Sequence, residues 1–226
     1  MKRCCLLTVA FVACICLSCE KNEDVNKSQS SILNGLKCAN NEILYTTQGG
    51  YPISFKVSQR FGIQFVANEY ANGVGKLIFN SDVTYIPSDA FKNETSFKSI
   101  VLPDNVLKIG EGAFYGCQNL ESIKLPDDLN SIGRDAFRNC NISMIKIPLT
   151  VSYIGEFAFM DCVKLEKIYV QSRTPYANAG SESGYWNAFD NIASNAKIYV
   201  PIETIDKYLS HIRWKRYADI IEGYQY

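Results

Sequence analysis

From residue 77 to residue 200 the apolar positions return with a fixed rhythm. A short alternating run is followed by one isolated Val or Leu, one isolated Ile and then an Ala-Phe pair. The run reads Ile100-Val101-Leu102-Pro103, Ile123-Lys124-Leu125-Pro126 and Ile145-Lys146-Ile147-Pro148, and Leu77-Ile78-Phe79 precedes them with Asn80 in place of Pro. Ala-Phe stands at 90–91, 113–114, 136–137 and 158–159, at intervals of 23, 23 and 22 residues. Self-similarity at such a period predicts stacked coils, each burying its apolar face against the next. Alternation predicts a short strand per coil, ended by the proline, which cannot donate to a ladder. Gly110, Gly133 and Gly155 follow the isolated Ile, where the coil needs either a positive φ or close backbone approach. A short helical or 3-10 segment is expected to carry Ala-Phe, with Phe filling the coil.

The flanks break the rhythm. Residues 33–75 predict a small β unit with strands at 42–46, 53–57 and 63–66 and turns at Gly49-Gly50-Tyr51-Pro52 and Ala71-Asn72-Gly73. Such a unit is expected to close the N-terminal end of the stack, where core and strand edge would otherwise be open. Downstream, Ala188-Phe189 lies 30 residues after Ala158-Phe159, so about eight extra residues fall between Pro175 and Trp186. Insertions of this kind map to loops on one face. Tyr185 and Trp186 therefore either bind a partner or pack over the last coil. Lys197–Pro201 reads as the last strand. Ile205, Tyr208, Leu209 and Ile212 keep helical spacing, which predicts a helix over 203–223 with Thr204 as N-cap.

Composition adds a compartment. Lys2 and Arg3 precede a run, Cys4–Leu17, apolar apart from Thr8. It suits the apolar core of a secretory signal and is short for a membrane span. Cys16-Leu17-Ser18-Cys19 resembles a bacterial lipobox with Cys16 in place of the usual Leu. That resemblance implies cleavage before Cys19 and a lipid anchor on its thiol, the alternative being an ordinary cleaved signal. Residues 19–32 are polar and acidic at their start, a tether similar to the export signal of surface-displayed lipoproteins in Bacteroidetes. Of nine cysteines, only Cys38, Cys117, Cys140 and Cys162 lie beyond the signal. The last three keep the repeat interval and are expected as small apolar residues in the core rather than disulfides or a metal site. Lys and Arg together number 23, equal to Asp and Glu, which argues against nucleic acid as a partner.

The unit L-x-x-I-x-L-P-x-x-V-x-x-I-G-x-x-A-F-x-x-C resembles the BspA-like leucine-rich repeat. The closing stretch Ala196–Gly223 and the segments at 41–47 and 65–87 are similar to the ends of such proteins. The resemblance implies an α/β fold: a short leucine-rich-repeat solenoid with a curved parallel sheet and short helical or 3-10 segments on the convex side. The expected plan is a signal at 1–18, a tether at 19–32, an N-terminal β cap at 33–75, repeats at 76–200 and a C-terminal helical cap at 201–226. The resemblance also implies a surface lipoprotein, of which some adhere to host matrix proteins or to other bacteria.

With alternate strand residues inward, the outward set is Ser99 and Val101, Ser122 and Lys124, Met144 and Lys146, Lys167 and Tyr169, Lys197 and Tyr199. This strip is cationic, with aromatics at its C-terminal end. It is expected to bind an acidic protein or glycan partner, with Tyr169 and Tyr199 as anchors, or else to be a solvated face of an accessory envelope lipoprotein. Catalysis is not expected. His211 is the only histidine, Asp127 and Asp128 are adjacent and diverge on a turn, and no phosphate loop or ligand cluster for a metal or cofactor occurs in the sequence. The chain is expected to be a monomer.

Overall fold

A computed structural model describes residues 33, 35–54, 60–175 and 188–225. Its long strands are β1 (Glu42–Thr47), β2 (Phe65–Ala71), β3 (Val74–Phe79), β5 (Phe97–Val101), β7 (Ser122–Lys124), β9 (Met144–Ile147), β11 (Lys167–Val170), β12 (Lys197–Pro201) and β13 (Ile221–Tyr224). Between them stand two-residue strands, β4 (Tyr85–Ile86), β6 (Lys108–Ile109), β8 (Ser131–Ile132) and β10 (Tyr153–Ile154). Each repeat therefore supplies two strands, one to each of two parallel rows. The short strands form one sheet, β10-β8-β6-β4. The long ones form two, β2-β3-β1-β5-β7 and β13-β12-β11-β9.

The core lies between the rows. Ile100, Ile123, Ile145, Ile168 and Ile198 of the long strands and Ile86, Ile109, Ile132 and Ile154 of the short ones are all buried in one cluster. Through it runs a column of rings. Phe91, Phe114, Phe137, Phe159 and Phe189 stack at centroid separations of 5.2, 5.2, 5.2 and 5.3 Å. Phe189 keeps its place although 30 residues separate it from Phe159, so the extra chain leaves the column intact.

The Ala-Phe segments are turns, not helices. Their alternate N–H groups point to the next coil instead of along a helix axis. Phe91, Phe114, Phe137 and Phe159 donate to the carbonyls of Ala113, Ala136, Ala158 and Ala188 at 2.7, 2.8, 2.8 and 2.8 Å. That routing needs left-handed residues on either side of the pair, supplied by Asp89 and Asn93, Gly112 and Gly116, Asp135 and Asn139, and Phe157 and Asp161. Asn, Asp and Gly tolerate this region. Phe157 does not, and its ring is held under the guanidinium groups of Arg134 and Arg138, 4.9 and 5.8 Å from its centroid.

Of the two reasons for glycine after the isolated Ile, close approach is the operative one. A Cβ on Gly133 would lie 2.6 Å from both the Glu111 nitrogen and the Gly110 carbonyl carbon. The cysteine column is tied as well as packed: the thiols of Cys117, Cys140 and Cys162 donate to the carbonyls of Phe91, Phe114 and Phe137 at 3.1, 3.1 and 3.0 Å. All three are buried and unbridged. Burial pushes the Cys162 thiol up to about 12.

At the N-terminal end β1 pairs antiparallel with both β3 and β5, so the β unit continues the long-strand sheet. β2 begins at Phe65, two residues after the expected start, and runs to Ala71. Residues 52–54 belong to no strand, and the rest of the expected second strand lies outside the described residues. Asn72 and Gly73 make the turn with positive φ.

The expected helix over 203–223 is much shorter. Its helical part, α1, covers Ile205–Ser210 and is flanked by 3-10 turns at Ile202–Thr204 and Lys215–Ile220. The chain then returns as β13, parallel to β12. Thr204 makes no side-chain cap, because its hydroxyl donates backward to the Pro201 carbonyl at 2.7 Å. Tyr208, Trp214 and Tyr217 are the buried apolar residues here, whereas Ile212 is 75% exposed. Tyr208 donates to the Ser172 carbonyl at 2.9 Å, and the Tyr217 hydroxyl to Asp190 at 2.9 Å while accepting the Phe189 N–H at 3.2 Å.

Candidate recognition surface

The outward residues of the long strands form two rows. Parallel pairing places Ser99 beside Ser122 and Val101 beside Lys124. It places Lys167 beside Met144 and Lys197, and Tyr169 beside Lys146 and Tyr199. The predicted strip is thus assembled on one face. Its members are not equally available.

The first coil of the strip is covered. Leu33, Leu36 and Cys38 pack against Leu44, Val74 and Val101 on the outer side of the sheet, and Lys37 pairs with Asp104 at 3.2 Å. Burial pushes the Cys38 thiol up to about 11. Ser99 and Val101 point outward as alternation requires, but they are 1% and 5% exposed.

The C-terminal end is engaged internally. Tyr169 and Tyr199 stack at 4.8 Å, and Tyr224 of β13 meets Tyr169 edge-on at 5.7 Å. Both anchors are half-buried, each with one ring face taken by the other. Lys197 pairs with Glu222 of β13 at 2.7 Å, and this hydrogen bond and charge hold its ammonium above the ordinary lysine range. Neither β13 nor Glu222 entered the sequence reading, because a strand is hidden within a pattern that reads as helix.

What remains is the middle. Lys124, Lys146 and Lys167 are exposed. Among the described residues no carboxylate stands within ion-pair distance of any of them, whereas other surface cations, such as Arg134, Arg138 and Lys76, have partners. Positive charge without an internal counter-ion attracts anions, so an anion on this face is favoured.

The sheet is interrupted at the same place. β7 and β9 belong to different ladders. The 22-residue interval is the cause: two residues lie between Cys117 and Leu120 and between Cys162 and Leu165, but only one between Cys140 and Ile142. β9 arrives out of step and the ladder opens. A cavity of about 280 Å³ fills the opening, lined among others by Ser99, Ser122, Lys124, Asp127, Lys146 and Gln171. The hydroxyl of Ser99 at its wall, and that of Thr46 beside it on β1, are buried with no hydrogen-bond partner among the described residues. Each such group costs on the order of 1–3 kcal/mol. The interval was visible in the sequence. Ser99 was read only as an outward residue, and Asp127 only as a turn residue.

Cys19, Tyr185 and Trp186 lie outside the described residues. His211 follows α1, where its Nδ1 accepts the Arg213 N–H at 3.3 Å and burial lowers its pKa. Among the described residues no group of three or more His, Cys, Asp or Glu is placed to hold a metal, and no helix is long and apolar enough to cross a membrane.

The model of the BspA type leucine rich repeat region matches residues 84–209, more than half of the chain, in six copies. No curated protein matches. Among solved structures, a leucine rich repeat protein of T. pallidum is 27% identical, with 56% of this chain and 55% of that one covered and a TM-score of 0.48. A leucine rich cell surface protein from Faecalibacterium prausnitzii A2-165 is 26% identical over 49% of this chain and 33% of its own, with a TM-score of 0.40. The pneumococcal vaccine antigen PcpA is 20% identical over 64% of this chain and 40% of its own, with a TM-score of 0.45. The chain spans about half the length of the first and less of the others.

Proposed function

Because the chain belongs to the BspA-type leucine-rich repeat family, we propose that it is a non-enzymatic binding module held at the bacterial cell surface by a lipid on Cys19. The acidic tether would carry the stack clear of the outer membrane, and the outer face of the long strands would meet a protein or glycan on a host or neighbouring bacterial surface. The observation that carries this reading is the set of exposed lysines without a carboxylate partner among the described residues, Lys124, Lys146 and Lys167, on three successive coils. Fixed cations on a rigid sheet lose little freedom on binding and give charge complementarity to an acidic partner. Tyr169 and Tyr199 would bound the contact at one end and the segment at 33–38 at the other. Tyr185 and Trp186 would extend the contact from the insertion. The chain would act as a monomer.

The covered first coil and the Lys197–Glu222 pair favour a second reading, an accessory envelope protein with no dedicated ligand. An array of glycans and matrix proteins separates the two. Saturable binding of the fragment from residue 20 onward to an acidic probe is expected, and its absence across the array would overturn the first reading. Metabolic lipid labelling of the wild type, lost in Cys19→Ala, is expected for the anchor, and an unlabelled wild type would refute it.

A further inference from the structure

Building on the recognition surface proposed above, we infer that the opening between β7 and β9 is a subsite for one uronic acid unit of an acidic glycan. The opening is a built feature. It occurs at the one coil where the repeat is a residue short, and the long-strand ladder is continuous on either side, from β5 to β7 and from β9 to β13. Lys124 and Lys146 are equivalent residues of successive repeats, one on each wall, and no carboxylate of the described residues pairs with them. Two ammonium groups, one from each side of the opening, suit the two oxygens of one carboxylate.

The other wall groups say what the carboxylate is attached to. Asp127 would repel a run of acidic side chains, which disfavours a polyacidic peptide. A sugar ring satisfies it, because ring hydroxyls donate to a carboxylate and accept from the Ser122 hydroxyl. Ser99 supplies an independent sign. The residue is 1% exposed and lines the cavity, and its buried hydroxyl has no hydrogen-bond partner among the described residues. A group of this kind is costly to the fold alone and useful to a polar ligand. The volume of about 280 Å³ lies at the small end of ligand pockets, the size of a single ring. An adjoining depression of about 550 Å³ shares Asp127, Lys146 and Gln171 and ends at Arg173, which pairs with Glu203 at 3.6 Å, so the glycan chain has somewhere to continue.

The test is calorimetric titration of the protein with trigalacturonate, with neutral galactotriose and with hexaglutamate, at about 150 mM salt to screen non-specific attraction. Saturable binding of trigalacturonate is expected, with each of the other two at least about tenfold weaker. Lys124→Gln with Lys146→Gln is expected to weaken it by about tenfold or more, and Ser99→Ala by about threefold or more. Ser99→Ala should not lower the melting temperature, because it removes an idle buried hydroxyl, so its loss of affinity cannot be laid to unfolding. Binding of hexaglutamate as tight as that of the sugar acid would overturn the assignment in favour of an acidic peptide. No binding of trigalacturonate, or full affinity in Ser99→Ala, would overturn the subsite itself. If lysine-dependent binding to some other array probe persists in that case, the recognition surface stands and only the subsite fails.

Discussion

A phenylalanine of the central column fills its coil, stacks on two neighbours and donates its N–H to the next alanine carbonyl. Only the first two functions depend on the side chain. Phe137→Ala therefore keeps the backbone ladder but opens a hole between Phe114 and Phe159, each 5.2 Å away. We expect a loss of about 3–5 kcal/mol in urea denaturation, and a loss under about 1 kcal/mol would contradict the packed column. Gly133→Ala is the complementary test. Its new Cβ meets backbone of the preceding coil, which cannot rotate away, so a loss of about 1–3 kcal/mol or more is expected from added rather than missing atoms. The thiols give a pH signature. Burial raises the folded pKa of Cys162 from 9.0 to about 12. Its contribution is thus complete below pH 9 and is lost as pH rises through about 12, because only the unfolded chain ionises freely in that window. Cys162→Ala should flatten the fall in stability across it. An unchanged slope would mean that the thiol is not buried in solution.

Among the elements, the shortened repeat is the most informative. Inserting one residue after Cys140 restores the 23-residue period, and we expect β7 and β9 to join. Amide exchange at Met144 and Ile145 should then slow, and the cavity should disappear together with any affinity that depends on Lys124 and Lys146. Unchanged exchange would show that the opening has another cause. Strand positions were legible in the sequence because alternation around Ile100, Ile123 and Ile145 is a local signal. The turn character of the Ala-Phe segments was not, since those N–H groups find their partners 21–29 residues away. The closing helix was overread for a related reason. Tyr208, Trp214 and Tyr217 are buried by contacts with the Phe column and the Ser172 and Asp190 loops, so their spacing reflects the surface they cover, not one helix face.

The whole molecule is a column with unlike ends, an antiparallel β unit at one and α1 with β13 at the other. Trp214 rests on Phe189, with centroids 6.0 Å apart. Trp214→Ala is expected to cost about 3–5 kcal/mol and to weaken the last coils before the first, a polarity that exchange at Phe189 against Phe91 would reveal. The sequence places the outer strip correctly, because alternation decides which residues face out. It does not show which of them stay free. That depends on Leu33 folding back over Val101 and on Glu222 arriving beside Lys197, both contacts between distant parts of the chain. The available surface is therefore smaller than the sequence suggests and centred on Lys124, Lys146 and Lys167. Its role is tested most directly by titrating an acidic array-identified partner against the wild type and against a Lys124→Glu, Lys146→Glu, Lys167→Glu variant of unchanged melting temperature. A loss of affinity of about a hundredfold and a shallower dependence on salt are expected. Unchanged affinity in the variant would contradict that role.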